Sequence, residues 1–117
     1  MAIVRKLLNE KTDPNIYTVP SDATVLDALK VMSAADTGAI LVAEGHKIVG
    51  IFTERDYARQ GEVKGRSAAE TKISEVMTHE MVMVKPETSV RQCADLMGRY
   101  HVRHLPVIEN EHVIGVI

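Results

Sequence analysis

The stretch TVPSDATVLDALKVMSAADTGAILVAEGHKIVGIFTERD, residues 18–56, returns in altered form as MVKPETSVRQCADLMGRYHVRHLPVIENEHVIGVI, residues 83–117. A constant shift of 65 residues aligns the two without a gap from Val19 to the end. Val19 falls on Val84, Val25 on Val90, Met32 on Met97, Val42 on Val107 and Gly50 on Gly115. Identities are few, but apolar positions meet apolar positions throughout. A period this long marks two copies of one supersecondary unit.

Each copy reads as β-α-β-β. A short strand, Ile16 to Val19, stops at Pro20, and Asp22 lies just ahead of a helical pattern. Val25, Ala28, Leu29 and Met32 recur at i, i+3, i+4 and i+7, the apolar stripe of an amphipathic helix. Val90, Cys93, Ala94 and Met97 repeat that spacing, with Thr88 and Ser89 as capping candidates. Gly38 is expected to end the first helix. Residues 39–43 form a continuous apolar run, the mark of a buried strand. A tight turn at Glu44-Gly45-His46 leads to a second strand, Ile48 to Thr53. Asn110 matches Gly45, and these two residue types adopt positive φ most easily. Residues 54–59 are polar and helix-compatible. The alternation Met81-Val82-Met83-Val84 predicts a core strand.

The expected organisation is a lead-in helix over 1–15, a first repeat over 16–62, a linker over 63–75 and an incomplete second repeat over 76–117. Ile3, Leu7 and Leu8 head the first lead-in; Ile73, Val76 and Met77 head its counterpart. The partners of Thr53 to Arg59 would lie beyond Ile117, so the chain reads as a piece cut within that motif.

At 117 residues the chain has room for one domain or two small repeats, and so small a core invites pairing of chains. Phe52 and three Tyr are the aromatics, so the core must be aliphatic. The net charge of −2 offers no global attraction to nucleic acid or anionic membrane. One cysteine, Cys93, cannot staple the fold and suits a reducing compartment. No apolar run approaches the ~20 residues of a membrane span. The expected setting is cytoplasmic.

Thr18 to Val25 and Val84 to Val90 lead the two helices, and Arg103-His104-Leu105-Pro106-Val107 opens a strand of the second copy. Val49-Gly50-Ile51-Phe52-Thr53-Glu54-Arg55-Asp56 has the form Gly, two apolar residues, Thr, two residues, Asp. Together these motifs resemble the cystathionine-β-synthase (CBS) domain family over nearly the whole chain from about Tyr17. The resemblance implies an α+β fold of tandem repeats packed sheet to sheet, with chains pairing again into a homodimer. It also implies an adenine nucleotide as a regulatory ligand in a cleft between the repeats, with no cofactor required.

The residues of the signature suit that chemistry on their own terms. Gly50 lets the backbone approach a neighbour. Thr53 and Asp56 come where an apolar strand turns into a polar helix, at a strand end where ligands tend to bind. A carboxylate accepts two hydrogen bonds from adjacent ribose hydroxyls, and Arg55 is a planar phosphate donor. The same residues also suit plain helix capping. The family pocket implies walls for the base at Tyr17, Thr18 and Val19 and at Gly38, Ala39 and Ile40. It implies contacts from Met83, Arg103, His104 and Pro106 on the second copy. His104 is the histidine singled out as a pH-sensitive contact.

Enzymatic readings fail on spacing. His101-x-x-His104 lacks further metal ligands, and His79-Glu80 has Met83 where a metalloprotease motif needs its second histidine. No nucleophile, base or Gly-rich phosphate loop is evident. The expectation is a regulatory sensor of an adenosine-containing molecule (AMP, ADP, ATP, NAD or S-adenosylmethionine) without catalysis. The alternatives are a ligand-free dimerisation module or the regulatory piece of a larger enzyme or transporter.

Overall fold

Two Ser/Thr residues start the two long helices. In the computed structural model, which describes residues 1–117, Thr24 caps α2 (Val25–Ala35) through a reciprocal capping box. The Thr24 hydroxyl accepts from the Asp27 N–H at 3.1 Å, and the Asp27 carboxylate accepts from the Thr24 N–H at 3.1 Å. Ser89 and Gln92 build the same box at the start of α4 (Val90–Tyr100). Both helices stop on a left-handed residue, Asp36 (φ 54°) and His101 (φ 55°). The helix stop expected at Gly38 therefore falls on Asp36, since a short polar side chain tolerates that conformation.

The first repeat places β1 (Thr18–Pro20), β2 (Ala39–Glu44) and β3 (Lys47–Thr53) in one sheet of that order. β1 runs parallel to β2, and β3 returns antiparallel through the Gly45 turn. α3 (Glu54–Asp56) follows β3 and opens into a π-helical turn, Tyr57–Glu62. The second repeat echoes this with β4 (Pro106–Glu109) and β5 (His112–Val116). A β-bulge sits between Val42 and Ala43, and another at the matching Val107 and Ile108. The core strand expected over Met81 to Val84 is reduced to one parallel bridge, Val84 to Val107. Only Val84 of the four is fully buried, so alternation there reflects a single anchoring contact.

The contacts divide the chain into one unit of residues 17–80 and another of residues 1–16 with 81–117. Each lead-in therefore completes the repeat it does not precede. Ile73, Val76 and Met77 join Val19, Val25, Ala28, Met32, Ile40, Val42 and Phe52 in the first core. The stretch 63–75, expected as a linker, thus supplies core through Ile73, because an apolar side chain there gains most by burial. α1 (Val4–Glu10) seats on the second repeat, where Val4 joins Val84, Cys93, Leu105 and Val107. Burial pushes the Cys93 thiol above its ordinary pKa, as suits an inert core residue. Paired backbone bridges mark the exchange: Thr24 to Lys72 in one unit, Ser89 to Ile3 in the other. Arg5 adds ion pairs to Glu87 (3.2 Å) and Glu109 (2.8 Å), both exposed and so weak.

Two glycines make room for the exchanged segments. A Cβ on Gly50 would lie 2.7 Å from Met77 Sδ and 2.9 Å from the Thr78 carbonyl oxygen. A Cβ on Gly115 would lie 2.7 Å from Leu8 Cδ2. No helix is long and apolar enough to cross a membrane.

Gly50→Ala is expected to cost about 1–3 kcal/mol in urea unfolding, because a backbone carbonyl must move. Gly115→Ala should cost less, since a leucine tip can swing away; equal losses would refute this reading. The Thr24 backbone N–H, then its hydroxyl, holds the Asp27 carboxyl below its ordinary pKa. That contribution is present above the unfolded pKa and disappears as pH falls through the folded one. Acid unfolding of Asp27→Asn should accordingly depend less steeply on pH below about 4.

Candidate functional site

One end of the first repeat's sheet collects the sequence-proposed residues. Parallel β1 and β2 begin there and antiparallel β3 ends there, so Tyr17 and Thr18, Gly38 and Ala39, and Thr53 become neighbours. Ala39 is the register partner of Thr53, and the Glu54 N–H donates to the Gly38 carbonyl at 3.0 Å. The Leu41 N–H donates to the Tyr17 carbonyl at 3.2 Å. Thr18 and Arg55 are exposed; Tyr17, Gly38, Thr53 and Asp56 are half-buried. Val19 and Ile40, at 5% and 2% exposure, belong to the core, as does buried Ala39. Val19 and Ile40 can offer a ligand their backbone but not a side-chain wall, because both pack in the first core; Ala39, next to Ile40 on the strand, lies on the opposite face of the sheet.

Thr53 and Asp56 form a third capping box. The Thr53 hydroxyl accepts from the Asp56 N–H at 3.1 Å, and Asp56 Oδ2 accepts from the Thr53 N–H at 3.0 Å. The plain capping role is thus filled. It does not exhaust either group. An ionised carboxylate has about four lone-pair sites, and a hydroxyl that accepts can still donate. The box fixes both side chains in place, so little rotamer entropy is left to lose on contact with a ligand.

A further residue completes this geometry. The Thr78 hydroxyl donates to Asp56 Oδ1 at 3.3 Å. Thr78 is held there by two backbone hydrogen bonds with Ile51, Ile51 N–H to Thr78 carbonyl at 3.0 Å and Thr78 N–H to Ile51 carbonyl at 2.8 Å. Sequence reasoning missed Thr78 because it lies 22 residues from Asp56 and precedes the other repeat. The one signal was its place beside Met77, in a lead-in whose apolar residues needed a partner. With two of its lone pairs engaged by Thr53 and Thr78, Asp56 keeps about two for hydroxyl donors.

Past the site, the π-helical turn packs the Tyr57 ring on the first core, and its phenol donates to Glu62 Oε2 at 3.1 Å. That hydrogen bond raises the Tyr57 pKa. π-helical turns recur at functional sites.

The second repeat gathers its own set at the matching sheet end. The Val84 N–H donates to the Pro106 carbonyl at 3.0 Å, and Leu105 and Ile117 exchange backbone hydrogen bonds at 2.9 and 3.0 Å. Met83 is 40% exposed, Arg103 is exposed and His104 half-buried. Pro106 is fully buried, so its ring offers no surface. No cluster of three His, Cys, Asp or Glu that could hold a metal ion is found.

The profile of the family described as "CBS domain" matches residues 4–61 and 73–117. The mitochondrial CBS domain-containing protein CBSX3 of Arabidopsis thaliana is 38% identical over 119 residues, covering 97% of this chain. This chain spans 58% of that relative's length. The CBS domain-containing protein YhcV of Bacillus subtilis is 31% identical over 102 residues, covering 87% of this chain and 72% of its own length. A CBS-domain protein structure from Burkholderia ambifaria MC40-6 superposes with a TM-score of 0.95 at 41% identity, over 99% of this chain and 87% of that one. The CBS domain pair of protein MJ0100, solved with 5′-methylthioadenosine and S-adenosyl-L-methionine, superposes with a TM-score of 0.84 at 22% identity. It covers 99% of this chain and 92% of that one, and shares the fold.

Thr53→Ala should destabilise the protein by about 1 kcal/mol through loss of the cap, while Thr53→Ser retains it. Thermal or urea unfolding of the two variants separates them; a stable alanine variant would show that the box contributes nothing.

Proposed function

This chain belongs to the CBS-domain family, and we propose that it acts there as a regulatory sensor that binds an adenosine-containing molecule without turning it over. The observation that carries this reading is Asp56, fixed by Thr53 and Thr78 with acceptor capacity to spare. Two adjacent ribose hydroxyls match the two remaining acceptor positions. The Thr53 hydroxyl is free to donate to a sugar or phosphate oxygen, and Arg55 supplies a phosphate-binding fork. Tyr17, Thr18 and Gly38 bound the space for the base, with Val19, Ala39 and Ile40 contributing backbone edges. Arg103 and His104, at the matching sheet end of the second repeat, are proposed as ligand contacts of that repeat taken by itself.

The MJ0100 pair, a fold relative, holds adenosine-containing ligands, which supports the ligand class. Such a ligand signals by binding two arrangements of the protein with different affinity. We take the working form to be a homodimer. α4 fully buries only Cys93 and leaves Ala94 and Tyr100 exposed, so apolar surface remains for a second copy.

Calorimetric titration with AMP, ATP, NAD and S-adenosylmethionine is the direct test, and absence of heat with all of them at millimolar concentration overturns the reading. Asp56→Asn keeps a carbonyl to accept from the Thr53 N–H but loses the carboxylate. Its affinity should fall about tenfold or more with the fold intact, as expected for hydrogen bonds to a charged acceptor. Sedimentation checks the dimer, which a monomer at micromolar concentration contradicts.

A further inference from the structure

A groove of about 480 Å³ runs along the second repeat between the chain segment Met83–Lys85 and the flank of α4. Its volume lies in the range of small-molecule sites. Met83, Val84 and Leu96 give it an apolar floor. Lys85 and Arg99 bring two cations to it, and Asp95 brings a carboxylate. None of these three charged side chains is engaged in an ion pair or hydrogen bond.

The internal repeat provides a control for what the fold requires. Position for position, Pro20 stands for Lys85, Ala34 for Arg99 and Thr18 for Met83 in the first repeat. The first repeat builds the same β-α unit with neither of these two cations, and carries Lys30 where the second has Asp95. Folding therefore does not explain why the second repeat sets two unpaired cations along one apolar floor.

We propose that this groove binds a small phosphate monoester with a hydroxylated body. A monoester carries about −1.5 to −2 charges at neutral pH, matched by the two cations. The Arg99 fork can take two phosphate oxygens and Lys85 a third. Asp95 accepts from hydroxyls of the body and repels a more highly charged polyanion. Gln92 already accepts from the Ser89 N–H and hydroxyl through Oε1, which leaves its amide N–H groups as donors to the ligand. This reading does not depend on Asp56, which lies in the other unit.

The test is an amide-resolved NMR titration of the whole chain with ribose 5-phosphate, run beside inorganic phosphate. Saturable shifts at Lys85, Gln92 and Arg99 are expected, with ribose 5-phosphate binding more tightly than inorganic phosphate. The double variant Lys85→Ala/Arg99→Ala should lose about tenfold or more in affinity, while Asp56→Asn leaves these shifts unchanged. Unmoved amides at these positions, equal affinity in the double variant, or loss of the shifts in Asp56→Asn would each overturn the proposal. Equal affinity for the two probes would remove the monoester class.

Discussion

The Ile51–Thr78 backbone pair is possible only because residue 50 has no side chain. A Cβ there would collide with both Met77 and the Thr78 carbonyl, so the lead-in could not lie against β3. Much follows from that close approach. It seats Ile73, Val76 and Met77 in the first core, and it brings a hydroxyl to Asp56. Gly115 and Leu8 repeat the device in the second unit, with a softer contact. Each unit thus takes its final piece of core from a segment that precedes the other repeat. Each core is assembled from two stretches of chain that are separate in sequence.

The same economy appears at Asp56. A capping box and a ligand site draw on one carboxylate, and its lone-pair count lets both operate. Capping fixes the geometry; the remaining acceptors are available for chemistry. A capping residue on a bare surface helix would be unremarkable. Here the box stands at a sheet end beside Gly38 and Ala39, with a third polar group imported from elsewhere in the chain.

The two repeats share boxes, bulges and left-handed helix ends at matching positions, which makes their differences informative. The first keeps its helix stripe well covered through Val25, Ala28 and Met32; the second fully buries only Cys93. The second also trades neutral positions for Lys85 and Arg99. Shared features serve the fold, and the unshared ones are where separate roles for the repeats can reside.

Much of this was legible in the chain itself. Period-3.6 stripes, the apolar run at 39–43, the Gly45 and Asn110 turns and the Thr53-to-Asp56 spacing are local signals, each governed by neighbours a few residues away. They determined the repeat, the family resemblance and the polar end of the first sheet. What they could not determine is which distant segment fills which core. The periodicity of Ile73, Val76 and Met77 shows an apolar face but not its partner, and alternation at Met81 to Val84 overstated a strand that pairs at one residue. Residue type alone makes Val19 and Ile40 suitable walls and Pro106 a contact, but packing buries all three. Only the tertiary structure decided the exchange of lead-ins, and with it the place of Thr78, because contacts across many residues depend on steric fit at Gly50 and Gly115 that no local pattern encodes.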